Sequence, residues 1–187
     1  RQFHYASYAL SIGPSILRDP NFLRFWQRYQ LTDDKHLTVR RGERGLTRWV
    51  IRNGYSHGAT FEVDRLGTEI AAMDNLERDQ MARELVIFDN PTLELARGEV
   101  LKTGPHDETG IQDRKALILA VTSRRAAAYA LPGYGMRYCG FQFIKKSPLL
   151  HELDSARVLM EILKGLEGIE GEQIRSEAAA LFGQRSR

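Results

Sequence analysis

The chain has 187 residues, of which 42% are apolar and 27% charged, a balance typical of one soluble globular domain with a hydrophobic core. Lys and Arg number 27 against 24 Asp and Glu, and this near-balance argues against a nucleic-acid-binding protein. The single cysteine excludes an internal disulfide and a cysteine metal cluster, and no apolar run reaches the roughly 20 residues that span a bilayer.

The first part of the chain predicts a strand and then an aromatic helix. The segment His4 to Ile12 is rich in aromatic and apolar residues and precedes a Gly-Pro turn, which is typical of a strand. Because this strand-like sequence starts almost at Arg1, with no initiating methionine, we expect the chain to be a piece of a longer protein. Asp19 and Pro20 then predict a helix start, and residues 20–29 carry an aromatic stripe at helical spacing that suits a core.

The segment from Gly42 to Tyr55 predicts an amphipathic helix that ends at Asn53-Gly54. Glu43 lies in its predicted first turn, where unpaired backbone N–H groups and the helix dipole favour a carboxylate. An ionised carboxylate on a rigid helix can accept a proton, although a carboxylate in a first turn can also serve helix stability alone.

Arginines repeat at intervals of four along another face of this predicted helix. They are Arg40, Arg44, Arg48 and Arg52. Because like charges at that spacing repel, we expect the row to meet water, acids, phosphate groups or an anionic membrane surface.

The remainder predicts a short strand, several helices and one long loop. The strand is expected at 59–63, the loop at 102–110, and a glycine and aromatic-rich connection at 134–139. Helices are expected at 68–85, 93–101, 112–130, from 154 onward and at 172–182. The simplest organisation is one compact unit over residues 1–150, followed by a helical end over 151–187.

A series of motifs occurs in the order and at the approximate spacing found in a known family. They are His4-x-x-Ser7-Tyr8, Phe22-x-x-Phe25-Trp26, Glu43-x-Gly45-Leu46-Thr47 with Gly54-Tyr55, Asn90-Pro91-Thr92, and Phe143–Lys146 with Leu149-Leu150. On these residues the chain, from residue 4 to about 150, resembles the rhamnan-synthesis family of bacterial surface-polysaccharide glycosyltransferases. Ala6 and Ala9 depart from the family pattern, since larger residues usually stand there.

The resemblance implies an α/β fold, namely the helix-rich C-terminal portion of a GT-A-like glycosyltransferase domain. Residues 1–150 would be its acceptor-side half and 151–187 a helical C-terminal extension. Glu43 would be the base of an inverting sugar transfer. The implied substrate-binding residues are His4, Ser7, Tyr8, Thr47, Tyr55 and Lys145. A nucleotide-sugar donor, with Mg²⁺ or Mn²⁺ if a metal is used, would be held by an upstream half, because this chain contains no Asp-x-Asp motif and no metal ligand is assigned in it.

The same resemblance implies a saccharide or lipid-linked saccharide acceptor as partner, together with the upstream part of the parent polypeptide and no nucleic acid. The expected compartment is the cytoplasm, with peripheral contact to the inner face of the bacterial inner membrane left open. An alternative from another class is a non-catalytic carbohydrate-binding or assembly module of a polysaccharide-synthesis protein, in which Glu43 only stabilises its helix.

Overall fold

The computed structural model describes residues 10–184, and all regular structure in that range is helical. The predicted helix-rich character is confirmed. The prediction of an α/β fold is wrong, because residues 10–184 contain no strand, and a GT-A-like sheet is therefore not supported. The chain divides into two compact units, residues 1–59 and 60–187, which we describe one at a time. This division lies at a different point from the boundary expected at residue 150.

The described part of the first unit is built from short helices and a π-helical segment that joins two of them. These are α1 (Pro14–Leu17), α2 (Pro20–Gln27), α3 (Lys35–Thr38), the π-helical segment (Val39–Glu43) and α4 (Arg44–Arg52). Phe22, Leu46 and Val50 form the buried core, and partly buried aromatic rings pack around them. The strand expected at His4 to Ile12 lies mostly outside the described residues, and its described end, residues 10–12, is irregular.

Helix α3, the π-helical segment and α4 follow one another without a break, from Lys35 to Arg52. Asp34 caps this run, since its carboxylate accepts hydrogen bonds from the backbone N–H groups of His36 at 2.7 Å and Leu37 at 3.1 Å. The prediction that Glu43 occupies a first turn is therefore wrong. The Gly-Glu pair resembles a helix start in the sequence, but here Gly42 lies inside the helical run.

The predicted end of this helix is confirmed. Asn53 is the C-cap of α4, and Gly54 follows with a φ of 70°, a left-handed conformation that glycine adopts without strain. The backbone N–H of Tyr55 then donates to the carbonyl oxygen of Val50 at 3.2 Å. The chain therefore turns sharply after α4, and the ring of Tyr55 packs against the core of the first unit.

The described part of the second unit contains nine α-helices, preceded by a 3₁₀ turn at Val63–Arg65. They are α5 (Leu66–Ala72), α6 (Asn75–Arg83), α7 (Pro91–Val100), α8 (Glu108–Arg124), α9 (Ala127–Ala130), α10 (Pro132–Tyr138), α11 (Ser147–His151), α12 (Leu153–Lys164) and α13 (Gly168–Gln184). The strand expected at 59–63 does not form. The helix expected at 68–85 is divided at Asp74, which caps α6 in a capping box with Glu77, and the connection expected at 134–139 is helical.

An irregular segment, residues 85–88, follows α6; Leu85, Val86 and Ile87 are buried and Phe88 is half-buried. The backbone N–H of Val86 donates to the carbonyl oxygen of Ala130 at 3.0 Å, and the hydroxyl of Ser155 donates to the carbonyl oxygen of Ile87 at 2.7 Å. Because Ala130, at the end of α9, and the side chain of Ser155 form hydrogen bonds with these backbone groups, the segment can be buried without pairing with a strand. The contact from Ser155 ties α12 to this segment, while the buried apolar residues of α12 form a second cluster with Leu149 of α11 and Ala178 of α13.

Arg114 on α8 is fully buried and joins three parts of this unit. Its Nε and Nη2 atoms contact Asp79 Oδ1 on α6 at 2.8 and 2.7 Å, and its Nη1 and Nη2 atoms donate to the hydroxyl and carbonyl oxygens of Thr103 at 3.1 and 2.7 Å. Gly110 leaves room for this side chain, since a Cβ there would lie 2.5 Å from Arg114 Nη1. The guanidinium is thus neutralised and hydrogen-bonded, as a buried charge must be.

We expect Arg114→Met to lower the free energy of unfolding by about 3–5 kcal/mol, because it removes the buried partner of Asp79. Arg83→Met is the matched control. Arg83 contacts the same carboxylate at 2.7 Å, but its side chain is 55% exposed, so its loss should cost less than about 1 kcal/mol. Urea unfolding followed by circular dichroism measures both values. Equal losses in the two variants would contradict the structural role of Arg114.

Candidate functional site

An open groove with a volume of about 900 Å³ lies on the first unit, between α2 and the helical run that ends in α4. Five arginines line it, together with three aromatic rings. The arginines, called here the groove arginines, are Arg24, Arg28, Arg40, Arg41 and Arg48; the rings are those of Phe25, Tyr29 and Trp49. No acidic residue of the described chain lines the groove.

The groove arginines are exposed, and none forms an ion pair with another residue in the range 10–184. Three of them donate hydrogen bonds to neutral oxygens, at 3.2 to 3.5 Å. The guanidinium groups of Arg28 and Arg40 donate to no described residue. Since each guanidinium has five N–H donors, most donors in the groove point to solvent. The groove therefore concentrates positive charge, with no acid among its described lining residues.

Close packing holds the two walls of the groove together. The ring of Phe25 lies against Gly45, where an added Cβ would be 3.5 Å from Phe25 Cε2, and Gly42 lies equally close to the ring of Tyr29. Both are ordinary van der Waals distances, so the π-helical segment and α4 lie directly beside the rings of Tyr29 and Phe25. The aromatic stripe predicted for α2 therefore forms part of the interface between the two walls.

A hydrogen bond from the Tyr55 hydroxyl to Asp19 Oδ2, at 2.8 Å, ties the end of α4 to the start of α2. The Tyr55 ring also stacks on Trp49, with ring centroids 5.5 Å apart and planes at 20°. Asp19 caps α2 by accepting from the backbone N–H of Asn21 at 2.8 Å. That backbone hydrogen bond, and after it the one from Tyr55, lower the pKa of Asp19, whereas the contact with Asp19 raises the pKa of Tyr55.

The predicted catalytic residue, Glu43, lies in the π-helical segment with a half-buried side chain. It is next in the chain to the groove-lining part of the run, but it does not itself line the groove. Its carbonyl oxygen accepts a hydrogen bond from the Thr47 hydroxyl at 2.8 Å, and Thr47 is only 2% exposed. The structure thus brings Glu43 and Thr47 together on one helical run, in which the Thr47 hydroxyl is hydrogen-bonded to the backbone.

The remaining predicted substrate-binding residues fall in three different places. Tyr55 belongs to the first unit, where its hydroxyl is bonded to Asp19. Lys145 belongs to the second unit and lies, half-buried, in the irregular segment before α11. His4, Ser7 and Tyr8, which were also predicted to bind substrate, lie outside the described residues.

Sequence reasoning identified only part of this surface. Of the row of four arginines predicted on one face, Arg40 and Arg48 line the groove and the other two do not. The π-helical segment changes the offset between Arg40 and Arg44. Arg44, Arg48 and Arg52 keep their interval of four on α4, and of these three only Arg48 lines the groove. Arg24 on α2 and Arg28 at its C-cap, which are separated by the same interval, were missed.

The signal that could have revealed the surface is an uneven charge distribution. Residues 1–59 contain ten Lys and Arg against four Asp and Glu, a formal charge of +6, whereas residues 60–187 contain 17 and 20, a formal charge of −3. The net charge of the whole chain, +3, conceals this asymmetry. Within residues 10–184, no group of three or more His, Cys, Asp or Glu side chains could hold a metal ion. Over the same range, no helix combines the length and apolar character needed to cross a membrane.

Comparison of the chain with protein-family models, with curated proteins and with solved structures finds no match. A function must therefore be argued from the motifs in the sequence and from the groove on the first unit.

The contact between Asp19 and Tyr55 predicts a pH dependence of the first unit. Because the pKa of Asp19 is lowered by folding, its contribution to stability is present above the unfolded value, about 3.9, and is lost as the pH falls through the lower folded value. We expect Asp19→Asn, which keeps a capping side chain, to flatten the loss of stability below about pH 4.

Tryptophan fluorescence during urea unfolding measures this effect in the first unit, because both tryptophans of the chain lie there. Asp33→Asn, which removes an exposed acid from the same unit, is the matched control. Parallel pH profiles for wild type and Asp19→Asn would show that the hydrogen bonds to Asp19 do not stabilise this unit.

Proposed function

We propose that the chain is the acceptor-side part of a glycosyltransferase, which transfers a sugar from a nucleotide-sugar donor to a growing bacterial cell-surface polysaccharide. The observation that carries this proposal is the groove, in which cationic and aromatic side chains line a rigid helical frame beside the segment that bears Glu43. The ordered motifs between His4 and Leu150 support the same function. The donor-binding residues would lie upstream of the chain.

The chemistry of an inverting transfer requires a base near the acceptor hydroxyl. The base removes the hydroxyl proton while the oxygen attacks the anomeric carbon and the bond to the nucleoside diphosphate breaks. Glu43 is a suitable group, since its half-buried carboxylate is carried by a helical run anchored at Asp34 and at Tyr55. The guanidinium groups in the adjoining groove suit a saccharide acceptor with an anionic substituent.

A second function is favoured by one specific observation. Glu43 does not line the groove, so the groove can bind a ligand without bringing it to the carboxylate. This arrangement suits a non-catalytic carbohydrate-binding or assembly module of a polysaccharide-synthesis protein. The absence of a strand in residues 10–184 is also compatible with a helical module outside a catalytic sheet domain.

The substitution Glu43→Gln in the full-length parent protein distinguishes the two functions. If Glu43 is the base, turnover in a sugar-transfer assay should fall by about 100-fold or more, equivalent to about 3 kcal/mol of transition-state stabilisation. The glutamine keeps the size of the side chain but cannot take up the proton.

Asp33→Asn is the control, because it removes an exposed acid of the same unit and should leave turnover unchanged. Circular dichroism and tryptophan fluorescence confirm that each variant is folded. Near-normal turnover of a folded Glu43→Gln variant would remove Glu43 from the mechanism and favour the binding module.

A further inference from the structure

We propose that the groove arginines form a binding site for a diphosphate group, of the kind found in nucleoside diphosphates and in lipid-linked saccharide diphosphates. The assignment rests on the charge, the free donors and the shape of the groove. Identifying this ligand as part of the sugar acceptor rests on the proposed function, whereas the binding of a diphosphate does not.

The first argument is the unpaired charge. The groove gathers five guanidinium groups from α2 and from the run between Arg40 and Arg48, with no acid of the described chain among its lining residues. Like charges held together on helices repel and lower stability unless a counter-charge is bound. In the second unit of the same chain several acids form ion pairs with basic residues, as in the pairs Arg137 with Glu84 and Lys146 with Glu177. A bound anion would therefore supply the negative charge that the lining of the groove lacks.

The second argument is the type and number of donors. Arginine presents a planar fork that matches two oxygens of a phosphate group, and contacts between ionised groups are the strongest hydrogen bonds in proteins. Arg28 and Arg40 lie on the two different walls. Their guanidinium groups donate no hydrogen bond to any described residue, so the N–H groups of both side chains can bind a ligand. Five such forks are spread over two walls of an open groove, and two linked phosphate groups offer more acceptors over a longer span than one phosphate group does.

The third argument concerns the aromatic rings, which favour a compact anion over a nucleic-acid strand. A groove for single-stranded nucleic acid needs ring faces on which successive bases stack. Here one face of Trp49 is stacked on Tyr55, and Phe25 packs edge-to-face on Trp26, with centroids 5.1 Å apart. These rings are used to build the walls of the groove, so the guanidinium groups are its main means of recognition.

Binding of inorganic pyrophosphate to the 187-residue chain tests the inference, by isothermal titration calorimetry and by the fluorescence of Trp49, which lines the groove. The double variant Arg28→Gln with Arg40→Gln removes one cation from each wall. We expect it to weaken binding by about 100-fold, since each lost charge-assisted contact costs about tenfold.

The matched control is Arg44→Gln with Arg52→Gln. These arginines are exposed on α4 and do not line the groove. Replacing them removes the same charge from the same unit as the groove variant does. Their loss should weaken binding by less than about threefold, because solvent and salt screen charges outside the site. Circular dichroism confirms that both double variants are folded.

Failure of the wild-type chain to bind pyrophosphate would overturn the inference. Equal weakening in the two double variants would also overturn it, since only the general positive charge of the unit would then matter. A single-stranded oligonucleotide or an anionic phospholipid vesicle that binds while pyrophosphate does not would replace the diphosphate site with a polymer or membrane surface.

The source of the diphosphate follows from two further probes. Tighter binding of uridine diphosphate than of pyrophosphate indicates a nucleotide, whereas tighter binding of farnesyl diphosphate indicates a lipid-linked ligand. If pyrophosphate binds and the parent protein transfers no sugar, the diphosphate site stands and the proposed function fails. If the parent transfers sugar and the groove variant binds pyrophosphate as well as wild type does, the diphosphate site alone fails.

Discussion

The buried contact between Arg114 and Asp79 is the interaction on which the larger unit depends. It joins α6 and α8 and, through Thr103, the segment after α7. A guanidinium with no exposure to water is tolerable only when its charge and its donors are matched, and here the carboxylate and two oxygens of Thr103 match them. Gly110 completes this arrangement, because a side chain there would occupy the space of the guanidinium.

The same residue type is used in the opposite way in the first unit. The groove arginines are exposed and have no acidic partner in the described chain, although a fold held by the small core around Phe22 has little stability to spare. Repulsion among them must be offset by packing, and the contact of Tyr55 with Asp19 and the stack of Tyr55 on Trp49 supply it. Arg114 is buried with its charge and donors matched, whereas the groove arginines are exposed and open to a ligand, which is why we propose a site in this unit.

Local signals predicted much of the secondary structure but little of its arrangement. The cap at Asp19 and the stop at Gly54 depend on a few adjacent residues and were predicted correctly. The apparent helix start at Glu43 was wrong, since Gly42 and Glu43 lie inside a helical run that begins at Lys35. The α/β expectation came from the family resemblance, and the apolar segment 85–88 shows that a buried stretch can bond its backbone to Ser155 and Ala130 without a strand. The groove lies between two helical segments that are apart in the sequence, so a pattern within one segment could not reveal it. The difference in net charge between the two units could have revealed it.

Arginine modification by phenylglyoxal, mapped by mass spectrometry with and without pyrophosphate, tests most directly whether the groove is a diphosphate site. The structure predicts that pyrophosphate slows the modification of Arg24, Arg28, Arg40, Arg41 and Arg48, the residues that line the groove. Arg44 and Arg52, which are exposed on α4 outside the groove, should react at unchanged rates and so serve as internal standards. Protection that is absent, or equal at all seven arginines, would contradict a site in this groove.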